Sequence, residues 1–262
     1  MKLNELIKSF EIFLTNEEQE LLETLGNQSK PLSSFTEHDQ VIINNLIRKS
    51  VVSKIVLDKL YTQYVCPHII NFAMQNKVIS KQREKIIPSA RGRVLEIGIG
   101  SGLNFSLYDK SKINDVFAVE PDNILLEKAK KRALDNNIDL NIEKISAEML
   151  PYENDFFDTI ISTYTMCSIS DLNSALKEIR RVLKKDGIFL FSEHGKSPDD
   201  NIYKWQKRLN PIQGALFGGC QLDVDIQTTL NKSKFEFHDI KSMYVPGPKF
   251  LSYHYWGTAL KK

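Results

Sequence analysis

Apolar positions follow two different rhythms along the chain. Before residue 90 they recur at helical intervals. Thr15-Asn16-Glu17-Glu18 has capping-box spacing, and Leu21, Leu22 and Leu25 follow on one helical face. Residues 26–34 hold Gly, Asn, Ser and Pro and read as a loop. From Thr36 the helical spacing resumes through Val41, Ile42, Leu46, Val52, Ile55, Val56 and Leu60, with Pro67 expected to break or kink it. Residues 69–87 predict a further helix, stopped by Pro88.

From Arg93 short β-branched runs alternate with helical ones. Strands are predicted at about 94–97, 116–119, 140–145, 157–163 and 188–192. Asp122 caps a helix to about residue 136, and 172–183 reads as a helix closed by Asp186-Gly187. A polar and aromatic stretch then runs to about Gly219. A helix near 223–231 and two strands, about 235–243 and 253–260, finish the pattern; Pro246-Gly247-Pro248 between them suits an antiparallel edge pair. Alternation of this kind gives an α/β fold with a mostly parallel sheet covered by helices on both faces. Two parts are expected: an N-terminal helical segment or lid over 1–90 and a sheet domain over 91–262.

Composition narrows the function classes. Among 262 residues, 42% are apolar and 26% charged, as in an ordinary globular protein. The 35 basic and 33 acidic side chains leave a net charge of +2 with no basic block, so no nucleic-acid partner is expected. No apolar run approaches the ~18 residues of a membrane span. Residues 1–10 lack the apolar core of a signal peptide. Cys66, Cys167 and Cys220 are widely spaced and odd in number, which argues against a disulfide framework and for a cytoplasmic location. Cys66-Pro67-His68 offers two ligands in one turn and no histidine pair has metal spacing, so no metal is expected.

The chemistry starts at Gly98-Ile99-Gly100-Ser101-Gly102, directly after the first strand of the alternating region. A dinucleotide fingerprint would need glycine at 103, where Leu103 stands. Glu96, two residues before the first glycine, would repel a pyrophosphate and suits an ammonium group. Glu120 ends the next strand, where a carboxylate can accept hydrogen bonds from ribose hydroxyls. An amino group, a ribose and no phosphate describe S-adenosylmethionine.

The segment from Arg93 to about Leu190 resembles the class I S-adenosylmethionine-dependent methyltransferases, in particular the group related to ubiquinone/menaquinone-biosynthesis enzymes. The resemblance rests on Val94-Leu95-Glu96-Ile97-Gly98-Ile99-Gly100-Ser101-Gly102, Val119-Glu120-Pro121-Asp122, Ala147-Glu148-Met149-Leu150-Pro151 with Phe157-Asp158, and residues 180–187, Arg180 to Gly187. It implies that Glu96, Gly98, Gly100, Ser101 and Gly102 hold the methionine end, Glu120 the ribose, and Pro121 with Asp122 the adenine. Ala147 and Glu148 would lie at the adenine edge, and Thr163 and Met166 would complete the cofactor set. It also implies a seven-stranded Rossmann-like sheet whose last strand runs antiparallel. The expected reaction is in-line transfer of a methyl group to a small-molecule thiol, amine or hydroxyl, with alignment supplying most of the catalysis.

Acceptor-side candidates are Tyr164 and Cys167 after the fourth strand, Glu193 and His194 after the fifth, and Trp205 and Gln206 in the polar stretch. His194 is the first candidate for a base or an acceptor-orienting group. Ser162-Thr163, Cys167-Ser168, Glu193-His194, Trp205-Gln206 and Gly219-Cys220 occur in the order seen in alkyl-thiol methyltransferases and their bacterial relatives, which the chain resembles here. Two alternatives stand beside this reading: a non-catalytic S-adenosylmethionine-binding protein and a phospholipid N-methyltransferase. The apolar N-terminal anchor of the thiol enzymes is missing from residues 1–50, and no stable membrane span is expected.

Overall fold

The computed structural model describes residues 15–25, 35–48 and 60–262. The chain forms two compact units, Met1–Gln63 and Tyr64–Lys262. In the first, α1 covers Asn16–Leu25 and α2 covers Glu37–Arg48. The capping box is present: Thr15 Oγ1 accepts from the Glu18 N–H at 3.3 Å, and Glu18 Oε2 accepts from the Thr15 N–H at 2.8 Å. The expected loop at 26–34 and the helical positions Val52, Ile55 and Val56 lie outside the described residues.

The second unit starts with α3 (Cys66–Ala73) and α4 (Lys77–Arg83). Pro67 sits in the first turn of α3, where its missing N–H costs nothing, so it opens a helix instead of breaking one. The single helix expected over 69–87 is divided because Asn76 caps α4, accepting from the Val78 N–H at 2.8 Å.

Then come β1 (Gly92–Ile97), β2 (Ile113–Val119), α5 (Asn123–Asp135), β3 (Leu140–Glu143), β4 (Phe157–Thr163), α6 (Leu172–Val182) and β5 (Leu183–His194). The chain finishes with α7 (Asp200–Leu216), α8 (Ile226–Lys232), β6 (Phe235–Tyr244) and β7 (Tyr253–Lys261). An aspartate starts each of the four helices after β2: Asp122, Asp171, Asp199 and Asp225 accept from backbone N–H groups of the first turns.

The strands form one seven-stranded sheet in the order β3-β2-β1-β4-β5-β7-β6. Strands β1 to β5 pair in parallel, and β7 runs antiparallel to both β5 and β6. Alternate residues enter opposite cores: Leu95, Ile160 and Phe189 pack with α6, whereas Val94, Ile161 and Leu190 pack with α5. The chain leaves β1 toward one edge and returns to β4 on the other side. The switch point therefore lies between β1 and β4, and its carboxyl end is where ligands of open α/β sheets bind.

Two further elements differ from expectation. Asp186-Gly187 does not close α6; the helix ends at Val182 and β5 starts at Leu183, with a register shift against β4. The stretch after Glu193 holds a 17-residue helix, α7, whose only buried residue is Gln206. With Pro211 inside it and no apolar stripe toward the core, its pattern gave no helical signal. No helix among the described residues is long and apolar enough to cross a membrane.

Candidate active site

The loop after β1 turns on three left-handed glycines: Gly98, Gly100 and Gly102 have φ of 60°, 57° and 75°. Their surroundings differ. A Cβ on Gly98 would lie 2.3 Å from Thr165 Cγ2, and one on Gly102 2.5 Å from the Phe105 ring. A Cβ on Gly100 would meet nothing within 4 Å. Gly98 and Gly102 are thus closed by packing, and Gly100 lines open space.

Glu120, just past β2, holds that loop. Its Oε2 accepts from the Gly100 N–H at 2.8 Å and its Oε1 from the Asp122 N–H at 2.9 Å. Burial pushes the carboxyl up to about 7, against the pull of those two bonds. Each oxygen keeps a further lone pair. Ser101 is tied from behind, where its carbonyl and hydroxyl accept from Arg132.

Glu96 is buried, and both its oxygens are in use. Oε1 accepts from Asn104 Nδ2 at 2.7 Å and Oε2 from the Tyr108 hydroxyl at 2.6 Å. Burial pushes it up to about 7, opposed by Tyr108, Asn104 and the Arg83 charge. The Asn104 amide also donates to Thr163 Oγ1 at 3.0 Å. This bond ties the glycine loop to the end of β4.

Arg83, the last residue of α4, is the main residue that sequence reasoning missed. It is buried, donates through Nη1 to the Met74 carbonyl at 2.8 Å, and lies 5.4 Å from the Tyr164 ring centroid. Burial pulls its guanidinium down, while Tyr164, Glu96 and Glu193 hold it up. No local signal marks it, because its burial arises from distant segments meeting.

Glu193 is fully buried near the end of β5. Its Oε1 accepts from Ser162 Oγ at 2.8 Å, the Thr165 N–H at 3.1 Å and the Met166 N–H at 3.3 Å. Burial pushes this carboxyl, too, up to about 7. Across this connected group, four buried polar atoms have no hydrogen-bond partner: Arg83 Nε, Asn104 Oδ1, Glu193 Oε2 and His194 Nδ1. Buried polar atoms are seldom left unpaired. A cationic donor beside two acceptors is the complement of an amino-acid zwitterion.

At the acceptor end, Tyr164 adopts a left-handed φ of 57°. Its hydroxyl lies 3.0 Å from His254 Nδ1, and its ring stacks beside His194 at 6.5 Å. Burial pushes the Tyr164 phenol up and the His254 imidazole down to about 4. His194 Nε2 is 3.2 Å from Cys220 Sγ, which is 3.4 Å from Cys167 Sγ. Cys167 and His194 therefore converge through Cys220, while Glu193 turns to Ser162 and the Thr165 and Met166 N–H groups.

Trp205 and Gln206 do not join this group. Trp205 is 54% exposed on α7. Gln206 is buried, but its amide is a structural clamp: it accepts from the Ser197 N–H and donates to the carbonyls of Gly195, Leu222 and Phe250. Of the adenine-side candidates, Pro121 is exposed, Glu148 accepts from the Asp171 N–H at 3.3 Å, and Ala147 and Met166 lie in the core beneath the sheet's carboxyl edge.

The family described as methyltransferase domain matches residues 95–191, the stretch from β1 through β5 that contains the glycine loop, Glu120 and the end of β4. The chain carries an S-adenosylmethionine-dependent methyltransferase domain. The human thiol S-methyltransferase TMT1A is 27% identical over 195 residues, covering 71% of this chain and 78% of that protein. The ubiquinone/menaquinone biosynthesis C-methyltransferase UbiE of Rickettsia rickettsii is 32% identical over 128 residues, covering 46% of this chain and 52% of that protein. The crystal structure of YcgJ from Bacillus subtilis superposes with a TM-score of 0.57 at 18% identity, covering 70% of this chain and 99% of that one. The expected sheet, with its antiparallel last strand, and the expected enzyme class are both borne out.

Proposed function

We propose that this methyltransferase transfers the methyl group of S-adenosylmethionine to the sulfur of a small-molecule thiol. The observation that carries the cofactor assignment is the crevice between β1 and β4. Gly100 leaves room there for a ligand, and the buried unpaired atoms of Arg83, Asn104 and Glu193 supply one donor and two acceptors. When bound, S-adenosylmethionine supplies a methyl group already activated by its sulfonium.

The chain's own residues then divide the work. The Gly98–Gly102 turn receives the methionyl part. Arg83 takes its carboxylate, while Asn104 Oδ1 and Glu193 Oε2 take its ammonium. Glu96 acts through Asn104: it occupies the amide nitrogen, so the amide oxygen is left for the ligand. Glu120 accepts from the ribose through its remaining lone pairs, with Pro121, Ala147 and Glu148 on the adenine side and Thr163 and Met166 along the floor. His194 and Tyr164 stand at the acceptor end. His194 orients the acceptor and does not deprotonate it, because its Nε2 already meets Cys220. A free thiol has a pKa of about 8.5, so a useful fraction is nucleophilic near neutrality once aligned with the methyl group.

The thiol class is supported by similarity that extends well beyond residues 95–191. Proteins named thiol S-methyltransferases match 71% to 78% of the chain. Three free, buried cysteines fit a reducing compartment such as the cytosol.

Calorimetry with S-adenosylmethionine and its demethylated product tests the cofactor assignment; binding of neither overturns it. Labelled cofactor incubated with matched alkyl thiols, amines and phenols tests the acceptor. Transfer to sulfur is expected, and preference for the amine or the phenol overturns the thiol reading.

A further inference from the structure

Cys167, His194 and Cys220 bring three metal-ligating atoms within 4.8 Å of one another, and all three residues are buried. Cys220 Sγ lies 3.4 Å from Cys167 Sγ and 3.2 Å from His194 Nε2. Zinc bound tetrahedrally at ordinary bond lengths holds its sulfur and nitrogen ligands about 3.5–3.8 Å apart. The two sides that meet at Cys220 are therefore within a few tenths of an ångström of what a zinc ion requires, and the third is no longer than 4.8 Å.

The surroundings suit thiolate ligands. Gln213 Nε2 donates to Cys220 Sγ at 3.7 Å, and Ser168 Oγ lies 3.6 Å from Cys167 Sγ. Such outer hydrogen bonds orient ligands and stabilise charge on sulfur. The backbone fixes the three ligands relative to one another. Cys167 follows β4, His194 ends β5, and the turn bearing Cys220 is pinned by the Gln221 N–H donating to the Cys167 carbonyl at 2.8 Å. Because the ligands lie 26 and 53 residues from Cys220, the cluster leaves no spacing motif in the sequence.

We propose that Cys167, His194 and Cys220 form a zinc site with one coordination position left for an exogenous soft ligand. Two thiolates and one imidazole with an open fourth position are a known donor set of catalytic zinc. Among the described residues, no fourth histidine, cysteine or carboxylate joins the cluster. The site stands beside Tyr164 at the acceptor end.

The ligand suited to that position is the acceptor thiol, a role that rests on the thiol reading above. On binding zinc the thiol loses its proton to solvent. Its sulfur then forms the new bond to the methyl carbon as the sulfonium carbon–sulfur bond breaks. The thioether product is a weak ligand and leaves.

The test uses the full chain, reduced and stripped of metal without air, and titrated with Co2+ as the optical probe. One equivalent should give thiolate-to-cobalt charge-transfer absorption and the visible bands of tetrahedral cobalt, both abolished by Zn2+. Cys167→Ser and Cys220→Ser should each weaken or remove these bands while calorimetry still detects S-adenosylmethionine binding, which also confirms folding. A small alkyl thiol should then shift the cobalt spectrum, and an amine of equal size should not. Absence of cobalt bands in a protein that binds S-adenosylmethionine overturns the zinc site and leaves the methyltransferase reading intact. Bands that survive both serine variants overturn it as well. Metal binding without a thiol-induced shift confines the site to a structural role and overturns the acceptor step alone.

Discussion

The Glu120 carboxylate accepts a hydrogen bond from the backbone N–H of Gly100 at 2.8 Å, joining the end of β2 to the loop after β1. The same carboxylate can therefore shape the cofactor loop and hold the ribose. Glu120→Ala removes both contacts. Affinity for S-adenosylmethionine should fall by roughly 1–3 kcal/mol, the scale of hydrogen bonds to a charged group. Isothermal titration measures this, and an unchanged dissociation constant would mean that the ribose lies elsewhere.

The glycines of the loop should separate in their effects. Gly100→Ala places a methyl group in open space, so the fold loses only about 1–2 kcal/mol for a left-handed non-glycine residue. Cofactor binding should nevertheless be lost if the ligand occupies that space as proposed. Gly98→Ala carries the same backbone strain and drives its Cβ to 2.3 Å from Thr165. About 1–3 kcal/mol of overpacking should be added to it. Urea denaturation beside cofactor titration distinguishes the two; equal destabilisation would refute the distinction between a ligand-facing and a packing glycine.

Much of this site could be read in the chain because its signals are local. Glycines after a β-branched run, an acid closing the next strand and aspartates at helix starts each act within a few residues. The Cys167–His194–Cys220 cluster, the Arg83 position and the Gln206 clamp depend on segments far apart in sequence, so no periodicity or spacing encodes them. The α6–β5 junction departs from the sequence expectation for a related reason. Asp186-Gly187 is a good helix stop taken alone, but pairing of Leu183 with Phe157 extends the strand upstream of it. Glu96 shows the limit of reading chemistry from position. An acid two residues before the loop suggested direct contact with an ammonium, yet Asn104 and Tyr108 occupy both its oxygens.

Cofactor binding should depend on pH through Glu120. Burial, with help from the Asp122 charge, holds its carboxyl up at about 7 in the folded chain, above the ~4.3 of a free glutamate. Glu96, held up to about 7 by burial and by the Glu120 charge, shares this behaviour. A folded pKa above the unfolded one means that the native state binds more protons. These two groups therefore favour folding below about pH 4.3 and lose that contribution as pH rises through 7. Ribose hydroxyls are donors and prefer the ionised carboxylate, so affinity should rise as pH climbs to about 7 and then level off. Methylthioadenosine, which has the ribose and no amino acid, isolates this end of the site. Titration in buffers of different ionisation heat should show proton release on binding below pH 7; proton uptake would reverse the assignment.

Arg83 offers the sharpest test of where the amino-acid part lies. Its guanidinium is buried beside Tyr164, interacts with the charges of Glu96 and Glu193, and keeps Nε unpaired. If it takes the ligand's carboxylate, Arg83→Met should weaken binding of S-adenosylhomocysteine by about 1.5–3 kcal/mol, or roughly 10- to 150-fold. Methylthioadenosine, lacking that carboxylate, should bind the variant within about twofold of the parent protein, well inside the roughly 1.4 kcal/mol that a tenfold change represents. The comparison also controls for damage to the fold. Arg83 donates to the Met74 carbonyl, so its loss will cost some stability whatever its role. That cost alone would weaken both ligands together. Equal losses would reduce Arg83 to a brace between α4 and the Tyr164 turn, whereas a loss confined to S-adenosylhomocysteine would fix the carboxylate at the end of α4.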